Sequence, residues 1–226
     1  MRVLLAILLL AVSPLSLAKT NPEQTTKNAI EVLKAMTNMP ENSIPERLLA
    51  EAYAIAVVPE VGEASFIFGG HYGKGLISIR GKDGAWSNPN FIKLTGGSFG
   101  FQAGVQQSDL ILVFTSDAGV NKIVKGRFTL GADAAVAAGP VGRNVQASTD
   151  TSFEAEILSY SRSRGLFAGV SVEGTAITID DKANVAMYGD MISPSSIFDG
   201  RTQTENQSII DFRNQLEEGS SRQAKK

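Results

Sequence analysis

Between residues 64 and 180 the chain is studded with glycine, and aromatic or β-branched residues alternate with small ones with few helix-length interruptions. This texture constrains the fold more than any other feature. Parallel neighbours need a crossover of a dozen or more residues, usually a helix, and most of the gaps between strand-like runs are too short for one. The sheet should therefore be largely antiparallel. Strands are expected over residues 65–68, 75–80, 97–105, 110–114, 126–137, 153–161 and 167–179. Lys82, Asp83 and Gly84 supply hairpin chemistry between Ile79 and Trp86, and residues 163–165 (SRG) do so between Tyr160 and Phe167. Residues 110–114 (LILVF) are continuously apolar, which marks a central strand buried on both faces. Interior glycine weakens a strand and marks a bend, a bulge or close backbone approach. Two glycine-bearing runs, 97–105 and 126–137, imply strong coiling, with a closed barrel as the limit.

The flanks are helical in pattern. Ala29, Ile30, Leu33 and Met36 recur at helical spacing after Pro22. Ser43 and Glu46 have capping-box spacing, with Pro45 tolerated in the first turn. Leu48, Leu49, Ala52 and Ile55 would form that helix's apolar face, although residues 54–58 also suit the start of a strand. Residues 181–188 suit a short helix, and residues 193–199 are turn-rich. Residues 204–216 suit an amphipathic helix carrying Ile209, Ile210, Phe212 and Leu216. Residues 219–226 read as a charged, disordered tail. The fold class is α+β: a coiled, mainly antiparallel sheet, curled toward a barrel, flanked by N- and C-terminal helices. The expected parts are a signal peptide (1–18), an N-terminal helix (19–43), the main domain (44–200), and a C-terminal helix with its tail (201–226).

Arg2, the apolar run 3–12, and small Ser16 and Ala18 before Lys19 form the pattern of a secretory signal cleaved after Ala18. The run is shorter than the roughly 20 apolar residues that span a bilayer. With no cysteine at the cleavage point, a lipoprotein is not expected, and the location is periplasmic or secreted. The chain has no cysteine at all, so disulfides and thiolate metal sites are excluded. The formal net charge is −2, which does not point to nucleic acid.

Catalytic signals are weak. Residues 96–100 (GGSFG) match G-x-S-x-G. The elbow of a hydrolase needs a sharp strand-to-helix turn and a histidine after the serine, whereas Ser98 opens a strand-like run and the single histidine, His71, precedes it. His71 alone cannot build a histidine metal site, and Gly73, Lys74 and Gly75 lack phosphate-loop spacing. Glu60 with Glu63, and Glu154 with Glu156, read as solvated carboxylates. Asp133, in a tightly packed run, needs a partner if buried. No enzyme activity, cofactor or metal is expected.

Residues 131–143 (GADAAVAAGPVGR) and 160–174 (YSRSRGLFAGVSVEG) resemble the core signatures of the SYLF domain. Trp86, Ser87, Pro89 and Phe91, residues 97–104 (GSFGFQAG), and Gly119 with Val120 extend the resemblance, in the family's order, over roughly residues 50–190. The resemblance implies a lipid-binding module. Eukaryotic SYLF domains bind phosphoinositide-containing membranes through a basic amphipathic N-terminal helix, some fungal members bind and bundle actin, and bacterial members are exported envelope proteins. Here Lys27 and Lys34 are opposed by Glu23 and Glu31, and for an exported chain actin is an unlikely partner. The expected partners are a phospholipid membrane surface or an envelope protein. Arginine offers a planar fork of donors suited to phosphate. Arg143, Arg162 and Arg164, with a second cluster of Lys122, Lys125 and Arg127, are therefore the candidate head-group residues. The alternative is that Arg143 or Arg162 pairs with Asp133 or another buried acid to hold the fold.

Overall fold

The computed structural model describes residues 21–38, 44–64, 70–96, 108–142, 155–163 and 165–221. The expected signal segment, the strands at 65–68 and 97–105, Ser98, Arg143, Glu154, Arg164 and the tail after residue 221 lie outside the described residues.

Among the described residues, six helices and nine strands follow one another as α1 (Pro22–Asn38), α2 (Glu46–Glu51), β1 (Ala54–Ala64), β2 (Gly70–Ile79), β3 (Asn90–Thr95), β4 (Ser108–Phe114), α3 (Ala118–Lys125), β5 (Phe128–Thr129), β6 (Val136–Ala138), β7 (Ile157–Ser163), β8 (Leu166–Gly169), β9 (Ala176–Ile179), α4 (Asp181–Tyr188), α5 (Pro194–Phe198) and α6 (Gln207–Ser221). The strands form one sheet in the order β5-β9-β3-β2-β1-β4-β7-β6, with β8 also on β7. Among the described residues, β6–β7 is the one parallel strand pair. The sheet curls into a half-barrel, so the α+β reading with a coiled, mainly antiparallel sheet holds.

The continuously apolar run does become a central strand. β4 lies between β1 and β7, and residues 110–114 are all buried. Its side chains feed two cores. Ile111 and Val113 join Ile55, Val57, Leu76, Phe91 and Tyr160 beneath α1, α2 and α6. Leu110, Leu112 and Phe114 join Ala56, Val58, Ile92, Leu94 and Ile177 on the opposite face, under α3 and Phe198. A strand buried on both faces cannot alternate apolar and polar, which is why its pattern is unbroken.

Helix α1 is docked. Ala29, Ile30, Val32, Leu33 and Met36 are buried in the first core, alongside Ile209, Phe212 and Leu216 of α6. The Ser208 hydroxyl and the Asn206 side-chain amide of the α6 entry donate to the Glu23 carboxylate, at 3.2 and 3.4 Å.

Three expectations need correction. Residues 126–137 are not one strand: a two-residue β5 and a three-residue β6 are separated by a turn. Gly131 sits there at φ +82°, backbone that glycine adopts freely, and its N–H donates to the Ala134 carbonyl at 3.0 Å. Residues 167–179 divide into β8 and β9 around a turn at Glu173 and Gly174. The C-terminal helix runs on to Ser221, so residues 219–221 are helical.

Candidate functional site

The register fixes which segments share an end of the sheet. Ala64 faces Gly70, Tyr72 faces Thr95, Val61 faces Ser108, Asp109 faces Arg162, Ser163 faces Leu166, and Thr95 faces Ala176. All these pairs lie at one rim. The β7–β8 hairpin, in which Ser163 pairs with Leu166, is its tip.

At this rim β1 carries a bulge. Its register shifts between Val58 and Val61 against β4, and Glu60 adopts φ +52°, uncommon for a residue with a side chain. The Glu60 N–H donates to Asp109 Oδ1 at 3.1 Å. The other oxygen of the same carboxylate accepts from Arg162 Nη1 at 3.0 Å. Arg162 is thus tied to Asp109 across the β4–β7 pair and holds the bulge in place. Of the alternatives weighed for it, it does pair with an acid, but that acid is Asp109 and not Asp133. Four residues on, Leu166 is 60% exposed, while its neighbour Phe167 turns inward and is buried. Val141 is also exposed, at 39%. β6 runs parallel to β7, so Val141 leaves β6 toward this same rim.

Lys122, Lys125 and Arg127 sit elsewhere. They belong to α3 and its exit, on the side of the sheet that carries β5 and β9. No element was expected over this stretch, yet residues 118–125 form a helix whose Val120 and Ile123 are buried. Lys122 Nζ donates to the Asp133 carbonyl at 2.6 Å and lies 3.6 Å from its carboxylate. Asp133 in turn accepts from the Thr129 N–H at 2.8 Å and is only partly buried. Lys122 and Asp133 therefore pin α3 to the turn before β6, and Lys125 and Arg127 remain exposed. The six candidate cations are not one cluster: Arg162 is at the rim, Lys122, Lys125 and Arg127 are at the far sheet edge, and Arg143 and Arg164 lie outside the described residues.

A third polar group was missed. Asp180 caps α4, accepting from the Ala183 N–H, and pairs with Lys93 at 2.9 Å. Beside it, Asn184 accepts from the Phe91 N–H at 2.9 Å and donates to Asn90 at 3.1 Å. The Tyr72 phenol is pushed up by burial, pulled back by Lys93, and raised again by Asp180. The cap signal, Asp180 ahead of an apolar-periodic segment, was available in the sequence; the lysine that meets it comes from β3, some ninety residues earlier. Among the described residues no group of three His, Asp or Glu side chains could hold a metal ion, and no helix is long and apolar enough to cross a membrane.

These features define a curled-sheet α+β domain with helices on both faces and a hairpin tip at one rim that exposes an apolar side chain beside a basic strand end. The family model described as Ysc84, Las17-binding protein actin regulator, matches residues 95–218. Protein YSC84 of Saccharomyces cerevisiae is 37% identical over 79% of this chain and 40% of its own length. LAS seventeen-binding protein 3 of the same yeast is 35% identical over 78% of this chain and 40% of its own. Human SH3 domain-containing YSC84-like protein 1 is 33% identical over 81% of this chain and 55% of its own. The chain belongs to this family, the SYLF family whose signatures its sequence carries. It spans only about half, or less, of the length of these relatives.

Proposed function

We propose that this protein is a non-catalytic module of the cell envelope, exported by a signal peptide cleaved after Ala18, that docks on phospholipid surfaces through the β7–β8 hairpin rim. One observation carries the reading: Leu166 is 60% exposed at the start of β8, paired with Ser163 beside the strand end that carries Arg162. An apolar tip beside cations suits the boundary between head groups and acyl chains, where buried apolar area and attraction to anionic lipid add together. Arg162, Arg164 and Arg143 are the head-group contacts in this reading, and Lys125 and Arg127 a secondary basic patch. Each surface-proximal cation contributes about 1 kcal/mol, so a few of them suffice for reversible association. The apolar face of α1 is buried against the sheet and α6, so α1 is not the element of contact in this reading.

Flotation of residues 19–226 with neutral and anionic vesicles tests this reading. Binding to anionic vesicles that weakens as salt rises is the expected result, because exposed charges are screened beyond about 8 Å at physiological ionic strength. Absence of flotation at every salt concentration overturns it. A second reading, a protein-binding module without lipid contact, draws on the family description, which is that of an actin regulator. The expectation that actin is not a partner finds no support in that description, so filamentous actin belongs in the same experiment as a co-sedimentation arm.

A further inference from the structure

A polar patch lies on the helix-clad face of β2, β3 and β9, next to the core formed by Leu76 and Phe91. The register places Lys74 directly opposite Lys93. Like charges opposite one another destabilise an antiparallel pair. Asp180 relieves only Lys93, at 2.9 Å, and its side chain is 6% exposed. The same carboxylate oxygen accepts from the Ala183 N–H at 3.3 Å, so this acid is already committed to the α4 cap. Lys74 forms no ion pair among the described residues.

Lys74 borders a small surface cavity of about 10 Å³, together with Asp180, Phe91, Ile92, Ala183, and Pro22 and Thr25 of α1. The first turn of α1 thus opens on the pocket, adding its partial positive charge. Tyr72 and its partner Thr95, and Thr178 opposite Lys93, share this face, and each carries a hydroxyl donor. The backbone around Lys74 is held close: a Cβ at Gly75 would fall on the Val57 carbonyl, and one at Gly73 would lie 2.6 Å from Val58 Cγ1.

We infer that Tyr72, Lys74 and Lys93 form a binding site for a phosphate group. The group would relieve the lysine–lysine opposition that Asp180 leaves half compensated. Two ammonium groups, each a compact charge with three donors, outweigh the single committed carboxylate, and a tetrahedral oxyanion can accept from both lysines and a hydroxyl at once. This site is separate from the hairpin tip and does not rest on the proposed docking there.

The test is a nuclear magnetic resonance titration of residues 19–226 with inorganic phosphate, with chloride at matched ionic strength as control. Saturable shifts centred on the amides of Tyr72, Lys74 and Lys93 are expected, weakened at least tenfold in Lys74→Gln and unchanged in Arg162→Gln. Lys93→Gln serves as a second variant, its folding checked by the dispersion of the same spectra. The source of the phosphate is read in two further arms: inositol 1,4,5-trisphosphate in solution, and vesicles carrying 10% phosphatidic acid. Vesicle binding weakened by Lys74→Gln assigns the group to a lipid head group; a response confined to the soluble phosphates assigns it to a free ligand. A linear, non-saturating response to all three probes overturns the site, as does a Lys74→Gln titration that superimposes on the wild type. Failure of the hairpin reading, seen as vesicle binding indifferent to Leu166→Asp, leaves the inorganic phosphate titration unaffected.

Discussion

Two arginines at strand ends show how this fold uses the same side chain in opposite ways. Arg80, at the end of β2, donates from Nη1 to the Ala50 carbonyl at 2.7 Å and from Nη2 to the Leu49 carbonyl at 2.9 Å. These are orphan carbonyls at the C-terminus of α2. Its guanidinium lies 4.7 Å from the centre of the Trp86 ring, and the indole N–H donates to Ser220 of α6 at 3.0 Å. Burial lowers the Arg80 pKa and the field of Glu217 pushes it back. Arg162, at the end of β7, makes one ion pair and adjoins a hairpin tip with an exposed leucine. The first arginine is turned inward and ties the end of β2 to α2 and to Trp86, which in turn reaches α6. The second holds a bulge and leaves apolar surface facing out. A basic residue next to an aromatic or apolar one is therefore not in itself a sign of binding; what separates the two regions is whether the apolar partner is covered.

The largest effect should come from breaking the closed region. Trp86 is 4% exposed and bonded to α6, so Trp86→Ala should cost about 3–5 kcal/mol, read from the urea midpoint at constant m-value. A cost below about 1 kcal/mol would show that the α6 junction is not part of the cooperative core. Arg80→Lys comes next. A lysine can keep the charge but not the planar fork that reaches two carbonyls while stacking on the indole, and the carbonyl left behind should cost about 1–3 kcal/mol. The same substitution at Arg162 should be milder, because its single ion pair is partly exposed, at 25% and 17% for the two side chains.

How much of this contrast could be read from the sequence varies along the chain. The central strand and the β7–β8 hairpin were legible because one local signal governs each: continuous apolarity, and turn-forming residues between two strand-like runs. β3 was not. Residues 90–95 (NFIKLT) follow Pro89 and mix apolar with polar positions, because Lys93 on one face is neutralised by Asp180, a partner that only the tertiary fold supplies. Helix α3 was hidden for a related reason. Its β-branched Val120, Ile123 and Val124 favour strands in isolation, and burial of Val120 and Ile123 on one helical face overrides that preference. At the candidate site the arginines were visible as residue types, but their division into a rim and a far edge follows from sheet order, which no local pattern encodes. Leu166 was invisible for the simplest reason: in a strand, only pairing tells which of two adjacent apolar residues faces out.

A smaller effect separates two buried phenols. Burial raises the pKa of both Tyr160 and Tyr188 above the ordinary value of 10.0. A raised folded-state pKa means that stability is full below the unfolded value, near pH 10, and is lost as pH climbs through the folded one. Urea stability should therefore fall above about pH 10, and fall less in either Tyr→Phe variant. At neutral pH the two should differ. Tyr188 donates to the Pro89 carbonyl at 2.6 Å, so Tyr188→Phe should cost about 1 kcal/mol. The Tyr160 hydroxyl is buried without a hydrogen-bond partner among the described residues, so Tyr160→Phe should be neutral or slightly stabilising. A loss of 1 kcal/mol or more in Tyr160→Phe would mean that its hydroxyl is bonded in solution.

The smallest expected change in stability is the sharpest test of the comparison. Leu166 packs little of its surface against the protein, so Leu166→Asp should alter the urea midpoint by no more than about 0.5 kcal/mol, as surface substitutions do. In flotation the same variant should lose most of its binding to anionic vesicles, since it removes the apolar anchor and adds a charge that the lipid repels. Trp86→Ala should do the reverse: much stability lost, and binding retained by whatever fraction stays folded. If Leu166→Asp floats as the wild type does, the exposed leucine is a bystander and the hairpin is no more outward-looking than the Arg80 junction. If it also unfolds the domain, the tip is packed in solution, and the contrast between the two arginine regions fails at its open end.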